Sequence, residues 1–186
     1  MNRKELLDSL ERVPVIAAVK DNGFDSALNS PTEVIFYLKA NILTVAQRVK
    51  AAKEKGKAVF VHIDLAEGVG KDRAGVEYLA KCGVDGIIST RSQLVAIAKD
   101  FGLLTVQRFF ALDSQGLDSL RDMSANTCAD MFEIMPGVIG KIIERFKNGP
   151  VPVIAGGLIE TKAEVTGAIA AGATAVSTGK KELWYV

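Results

Sequence analysis

Five polar side chains stand at the ends of short apolar runs, where folding could bring them to one place: Lys20, His62, Asp64, Arg108 and Glu133. Together they supply two carboxylates, two cations and an imidazole. Such a set suits proton transfer, Schiff-base chemistry at a lysine, or the grip of a charged, hydroxylated small molecule. Buried carboxylates are costly without partners, so a salt-bridged network with no ligand is the competing explanation, with Lys20 and Arg108 as counter-charges. His62 alone reads equally well as a satisfied core histidine. A metal held by His62, Asp64 and Glu67 has no diagnostic spacing in its favour, and no metal is expected.

Two glycine-bearing stretches add a different chemistry. Gly156-Gly157 and Ser177-Thr178-Gly179 each close an apolar run near the C-terminus. Glycine lets backbone N–H groups approach an anion closely, and a following helix N-terminus adds a favourable dipole. One Gly-Gly pair is weak, since many are plain turns; two such loops in succession point to a phosphate site. No GxxxxGK[ST], GxGxxG or GxSxG pattern occurs.

An alternation of strands and helices must position these residues. Apolar, β-branched runs predict strands at Val13–Val19, Val34–Leu38, Ala58–Asp64, Asp85–Ser89, Leu103–Phe109, Asp130–Met135, Val151–Ala155 and Thr174–Ser177. Apolar residues three and four apart predict helices at Ile42–Lys55, Asp72–Lys81, Arg91–Asp100, Leu117–Ser124, Val138–Lys147 and Lys162–Ala171, several followed by a capping glycine (Gly56, Gly83, Gly102, Gly149, Gly172). A short helix around Ser9–Glu11 comes first, and Asn22–Pro31 has room for a turn or two. Eight strands alternating with helices predict an α/β fold, a small (β/α)8 TIM-like barrel forming a single domain over residues 1–186. The chain is short for that fold, so an open doubly wound sheet is the competing architecture. In a barrel, the strand ends with their following loops form the binding mouth. Alternation sends Phe60, His62 and Asp64 inward on the third strand, and Met131, Glu133 and Met135 on the sixth. It leaves open whether Gln107 or Arg108 points in on the fifth. An inward His62, Asp64 and Glu133 would meet at one mouth.

Composition bounds the partners. The 23 Lys+Arg nearly balance 22 Asp+Glu, so nothing in the overall charge announces nucleic acid. Cys82 and Cys128 lie far apart and outside any CxxC spacing, which fits reduced thiols. The N-terminus lacks the apolar core of a signal peptide, and no run approaches the ~20 residues of a membrane span. A cytoplasmic protein with no membrane partner is the expectation.

Several blocks then carry a resemblance: Pro14–Val19, Val59–Leu65 with Glu67-Gly68, Asp85–Thr90, Gly102–Ser114 containing QRFFALDS, Glu133-Ile134-Met135-Pro136-Gly137, Ile154–Ile159, and Ser177-Thr178 with Leu183-Trp184. In this order, over nearly the whole chain, the sequence resembles the glycerol-3-phosphate-responsive antiterminators, the regulators of bacterial glycerol uptake operons. The resemblance implies a TIM-barrel regulator with no catalytic residues and no cofactor. Its effector would be glycerol 3-phosphate, and it would act on leader mRNA of glycerol-utilisation genes to prevent premature termination. It places the phosphate at Gly156, Gly157, Ser177, Thr178 and Gly179, the glycerol hydroxyls near Asp64 and Glu133, and charge from Lys20 and Arg108 nearby. Where similar sequences often continue Ser-Thr-Ser, this chain has Ser177-Thr178-Gly179, which leaves ligand choice open. The RNA surface is unmarked; Lys50, Lys53, Lys55, Lys71, Arg73, Lys141, Arg145, Lys180 and Lys181 are candidates, each readable as an ordinary solvated charge. A homo-oligomer is compatible with the sequence. A barrel enzyme acting on a triose or polyol phosphate is the alternative function.

Overall fold

The structure, a computed structural model, describes residues 1–111 and 127–186. The helix expected at Leu117–Ser124, and Leu112-Asp113-Ser114 of the QRFFALDS block, lie outside the described residues. Eight parallel strands close into a barrel in sequence order: β1 (Val15–Lys20), β2 (Val34–Lys39), β3 (Ala58–His62), β4 (Gly86–Ser89), β5 (Leu104–Phe110), β6 (Met131–Met135), β7 (Val153–Gly156) and β8 (Ala175–Thr178). Closure is made by β1 pairing with β8, with Ile16 opposite Ser177. The helices are α1 (Arg3–Arg12), α2 (Phe24–Leu28), α3 (Val45–Glu54), α4 (Arg73–Lys81), α5 (Ser92–Asp100), α6 (Gly140–Phe146) and α7 (Lys162–Ala170). The open-sheet alternative is thereby excluded. Pro14 and Pro152 fall just ahead of β1 and β7, where no N–H is required, and their carbonyls accept from Val176 and Phe132.

The apolar residues divide into two layers because strand side chains alternate in direction. Val59, Val61, Phe132, Ile134 and Val176 join the helices in the outer cluster. Ile16, Phe36, Phe60, Ile88, Val106, Met131, Ile154 and Ala175 fill the lumen. Leu6 and Leu10 of α1 belong to that inner cluster, so the first helix plugs the amino-terminal end of the barrel. Its start is fixed by a capping box between Asn2 and Glu5.

At that end, the acid preceding each of β2, β4 and β6 ties its strand to a basic residue of an earlier helix. Arg12 pairs with Glu33, Lys53 with Asp85 and Lys99 with Asp130. Asp85 also accepts the Val59 N–H, and Asp130 the N–H and hydroxyl of Thr105. These ties hold the strands in place far from the mouth. Of the five glycines expected to end helices, Gly56, Gly83, Gly102 and Gly172 have the left-handed φ of a cap; Gly149 does not.

Candidate functional site

Inner alternation fixes what reaches the carboxyl-terminal mouth. Leu104 and Val106 point into the lumen, so Arg108 does too; Gln107 points outward and donates to Ser92. On β6 the inward residue is Glu133. The two meet directly: Arg108 Nε donates to Glu133 Oε2 at 2.6 Å, and Ser177 Oγ donates to Glu133 Oε1 at 2.6 Å. Glu133 is 1% exposed and Arg108 7%. A buried carboxylate is tolerable here because each oxygen has a donor. Its role in the free protein is to hold Arg108 and Ser177 in place.

A cavity of about 390 Å³ opens beside this group. Its wall includes Lys20, Arg108, Glu133, Gly157, Ser177, Thr178 and Gly179, seven of the ten residues expected from sequence. The Nη groups of Arg108 donate to no protein acceptor among the described residues. Exposed Lys20 has no carboxylate within ion-pair distance among them either. The cavity therefore presents guanidinium N–H donors to spare at its inner end, where the charge itself is shared with Glu133, and an ammonium at its rim. An anion is the chemistry that fits.

The glycine loops adjoin it in different ways. Gly156 lies beneath: a Cβ there would come within 2.5 Å of Glu133 Oε1 and 2.7 Å of Ser177 Oγ, so only glycine leaves room for the network. Gly157 has φ 76°, and Leu158, a non-glycine residue, is held at φ 61° while 69% exposed. Such backbone strain is sustained where surrounding structure dictates it, often at binding sites. Thr178 spends its side chain on structure, donating to the Ile159 carbonyl and accepting from the Lys180 N–H. It links the β7 and β8 loops.

His62 and Asp64 do not line this cavity. His62 is inward on β3 as expected and 3% exposed. Burial, reinforced by the Arg108 charge, pushes its imidazole down to about 4, so it is neutral at physiological pH. Asp64 corrects the strand reading. β3 ends at His62, and Ile63–Leu65 form a 3-10 turn, which breaks the two-residue alternation. Its carboxylate is consequently carried to the β4 side, where it accepts from the Ser89 hydroxyl, the Thr90 N–H and the Thr90 hydroxyl, with Arg91 Nε at 3.5 Å. The single expected mouth of His62, Asp64 and Glu133 thus becomes two polar groups, with His62 between them: Nδ1 lies 4.0 Å from Asp64 Oδ2.

Asn22, Gly23, Leu38, Met135, Leu158, Ile159, Lys181 and Trp184 also line the cavity. Trp184 is brought there by a C-terminal 3-10 helix, Lys181–Tyr185, and anchored by its indole N–H to the Thr178 carbonyl. The basic residues considered for RNA are mostly committed elsewhere: Lys53 to Asp85, Lys55 to Asn29, Arg73 to Asp100, Lys180 to Glu160, and Lys71 to the carbonyls of Ala66 and Val69. No helix among the described residues is long and apolar enough to cross a membrane.

Fold and site together define a class: a parallel (β/α)8 barrel with an anion-receptive mouth beside its last two strands. Within that class, the model of the glycerol-3-phosphate responsive antiterminators matches residues 15–184, and the chain belongs to that family. YgcP of Escherichia coli K12 is 36% identical over 185 residues, covering 96% of this chain and 95% of that one. A glycerol uptake operon antiterminator-related protein from Thermotoga maritima is 32% identical, with a TM-score of 0.82 over 91% of this chain and 96% of the other. The glycerol uptake operon antiterminator regulatory protein of Listeria monocytogenes is 33% identical, with a TM-score of 0.85 over 91% and 94%. Aldolases at 13–15% identity share the barrel, and that likeness is one of fold.

Proposed function

We propose that this chain is a glycerol-3-phosphate-sensing transcription antiterminator that acts on the leader mRNA of glycerol-utilisation genes without catalysing a reaction. The carrying observation is Arg108: buried, pinned at Nε by Glu133, and lining a cavity, with no acceptor for its Nη groups among the described residues. A buried guanidinium that lines a cavity with N–H donors to spare suits a phosphate or carboxylate. Lys20 adds a second cation at the rim, and the backbone at Gly157 and Gly179 is close enough to take part. Membership of the glycerol-3-phosphate responsive antiterminators supports this choice of anion and a role in transcription control; action on leader mRNA is part of the proposal.

Catalysis is poorly served by the same residues. Both Glu133 oxygens already accept hydrogen bonds, which leaves that carboxylate ill-placed as a general base. As a switch, the ligand must favour one protein state over another. The strained β7 loop and the β8 loop linked to it through Thr178 are the elements a phosphate would bias. Retention of leader RNA by the full chain is the test, measured while glycerol 3-phosphate is titrated. RNA affinity should change with ligand occupancy, and Arg108→Met should remove the ligand's effect; RNA affinity indifferent to ligand would sink the coupling.

A further inference from the structure

His62 is the chain's single histidine. Its Nδ1 is, among the described residues, the one buried side-chain polar atom without a hydrogen-bond partner. Alternate strands of such a barrel contribute side chains to shared layers. The register places His62 of β3 in the layer that Ala18 of β1, Arg108 of β5 and Gly156 of β7 complete. Two members of that layer have little or no side chain, which leaves the lumen open on the β1 and β7 side. Arg108 and His62 occupy the other side.

Asp64 is rigidly held. Three donors from Ser89 and Thr90 fix its carboxylate, and Oδ2 stands 4.0 Å from His62 Nδ1. A neutral imidazole carries one N–H, and the neighbouring negative charge favours that proton on Nδ1. Nε2 is then left as a lone-pair acceptor. Both oxygens of the Glu133 carboxylate already accept from Arg108 and Ser177, so an uncommitted acceptor such as Nε2 suits the hydroxyl protons of a polyol. His62 stands outside the lining of the cavity but shares its layer with Arg108, which lines it, so a three-carbon ester whose phosphate is held beside β7 and β8 would reach Nε2 by extending across the lumen past Arg108.

We propose that His62 is a specificity-determining residue, accepting a hydrogen bond from a hydroxyl of the bound polyol phosphate through Nε2. Asp64 is its positioning residue, keeping the proton on Nδ1. The proposal rests on the sensor reading above and adds how that site tells a polyol phosphate from a bare phosphate or alkyl phosphate.

Nitrogen-15 NMR of the unaltered protein reads the tautomer directly, because one histidine gives one pair of ring signals. The Nδ1–H form is expected, and Asp64→Asn should mix the two tautomers; a dominant Nε2–H form in the unaltered protein overturns the proposal. The Nε2 resonance should move on saturation with glycerol 3-phosphate and stay put with inorganic phosphate. In calorimetry, His62→Phe should bind glycerol 3-phosphate about tenfold more weakly, the loss of about one hydrogen bond, with propyl phosphate affinity unchanged. His62→Gln, which keeps an acceptor, should recover part of the difference. Equal losses for both esters in His62→Phe overturn the role of His62 alone. Failure of the unaltered protein to bind glycerol 3-phosphate overturns the sensor reading beneath it.

Discussion

The buried groups at the mouth are few, and each has a different cost. Glu133 is stabilised by two short donors: removing Arg108 would leave its charge stranded in the barrel, and removing the Ser177 hydroxyl would leave Oε1 without its donor. His62 is buried neutral, which makes it a pH liability. Its imidazole is lowered from 6.5 to about 4 by burial first and by Arg108 second. Between those values the unfolded chain binds the proton and the folded one does not, so stability rises with pH through this window. It is fully present above about 6.5 and is lost as pH falls toward 4. The displacement corresponds to about 3 kcal/mol. Urea unfolding between pH 4 and 7.5 should show that much steeper a decline in the unaltered protein than in His62→Gln. Parallel profiles would mean that His62 takes up its proton as readily in the folded state as in the unfolded one.

The elements were legible in the sequence to different degrees, and the reasons are physical. Strand faces followed from the two-residue period, as Phe60 and Glu133 show, because apolar residues on the outer face mark the direction of their neighbours. Gln107 and Arg108 could not be separated that way: both are polar, and only the register of Leu104 and Val106 decides between them. Asp64 departs from the alternation because a 3-10 turn interrupts the period without any glycine or proline to announce it. Trp184 and Lys181 come to the mouth through closure of β8 on β1, a long-range event that local pattern does not encode. The acid–base ties at the opposite end join residues far apart in the chain and are not encoded locally either. They lead to a clean separation, since that end of a barrel serves stability and the other binds. Asp130→Ala would leave the N–H and hydroxyl of Thr105 without their buried acceptor. A loss of about 1–3 kcal/mol in unfolding free energy is expected, with ligand affinity unchanged. A substantial change in affinity instead would show that the two ends are coupled.

At the scale of the whole molecule, the proposed ligand-dependent switch has a thermodynamic signature different from that of an enzyme built on the same frame. A ligand that binds only the folded chain raises its stability by mass action, by about 2.7 kcal/mol at a hundred times the dissociation constant. For a chain of 186 residues, each kcal/mol moves the melting temperature by about 2–4 °C. Glycerol 3-phosphate at that excess should therefore raise it by about 5–10 °C. Arg108→Met should abolish the rise, because it removes the buried charge that faces the cavity, and would also lower the starting temperature by stranding Glu133. The decisive feature is persistence. A sensor leaves its ligand intact, so the rise should be the same after hours of incubation at room temperature as at the first measurement, with the ester recovered unchanged. A rise that decays while the ester disappears would make this chain a catalyst; no rise at millimolar ligand would make it a barrel that has given up its effector.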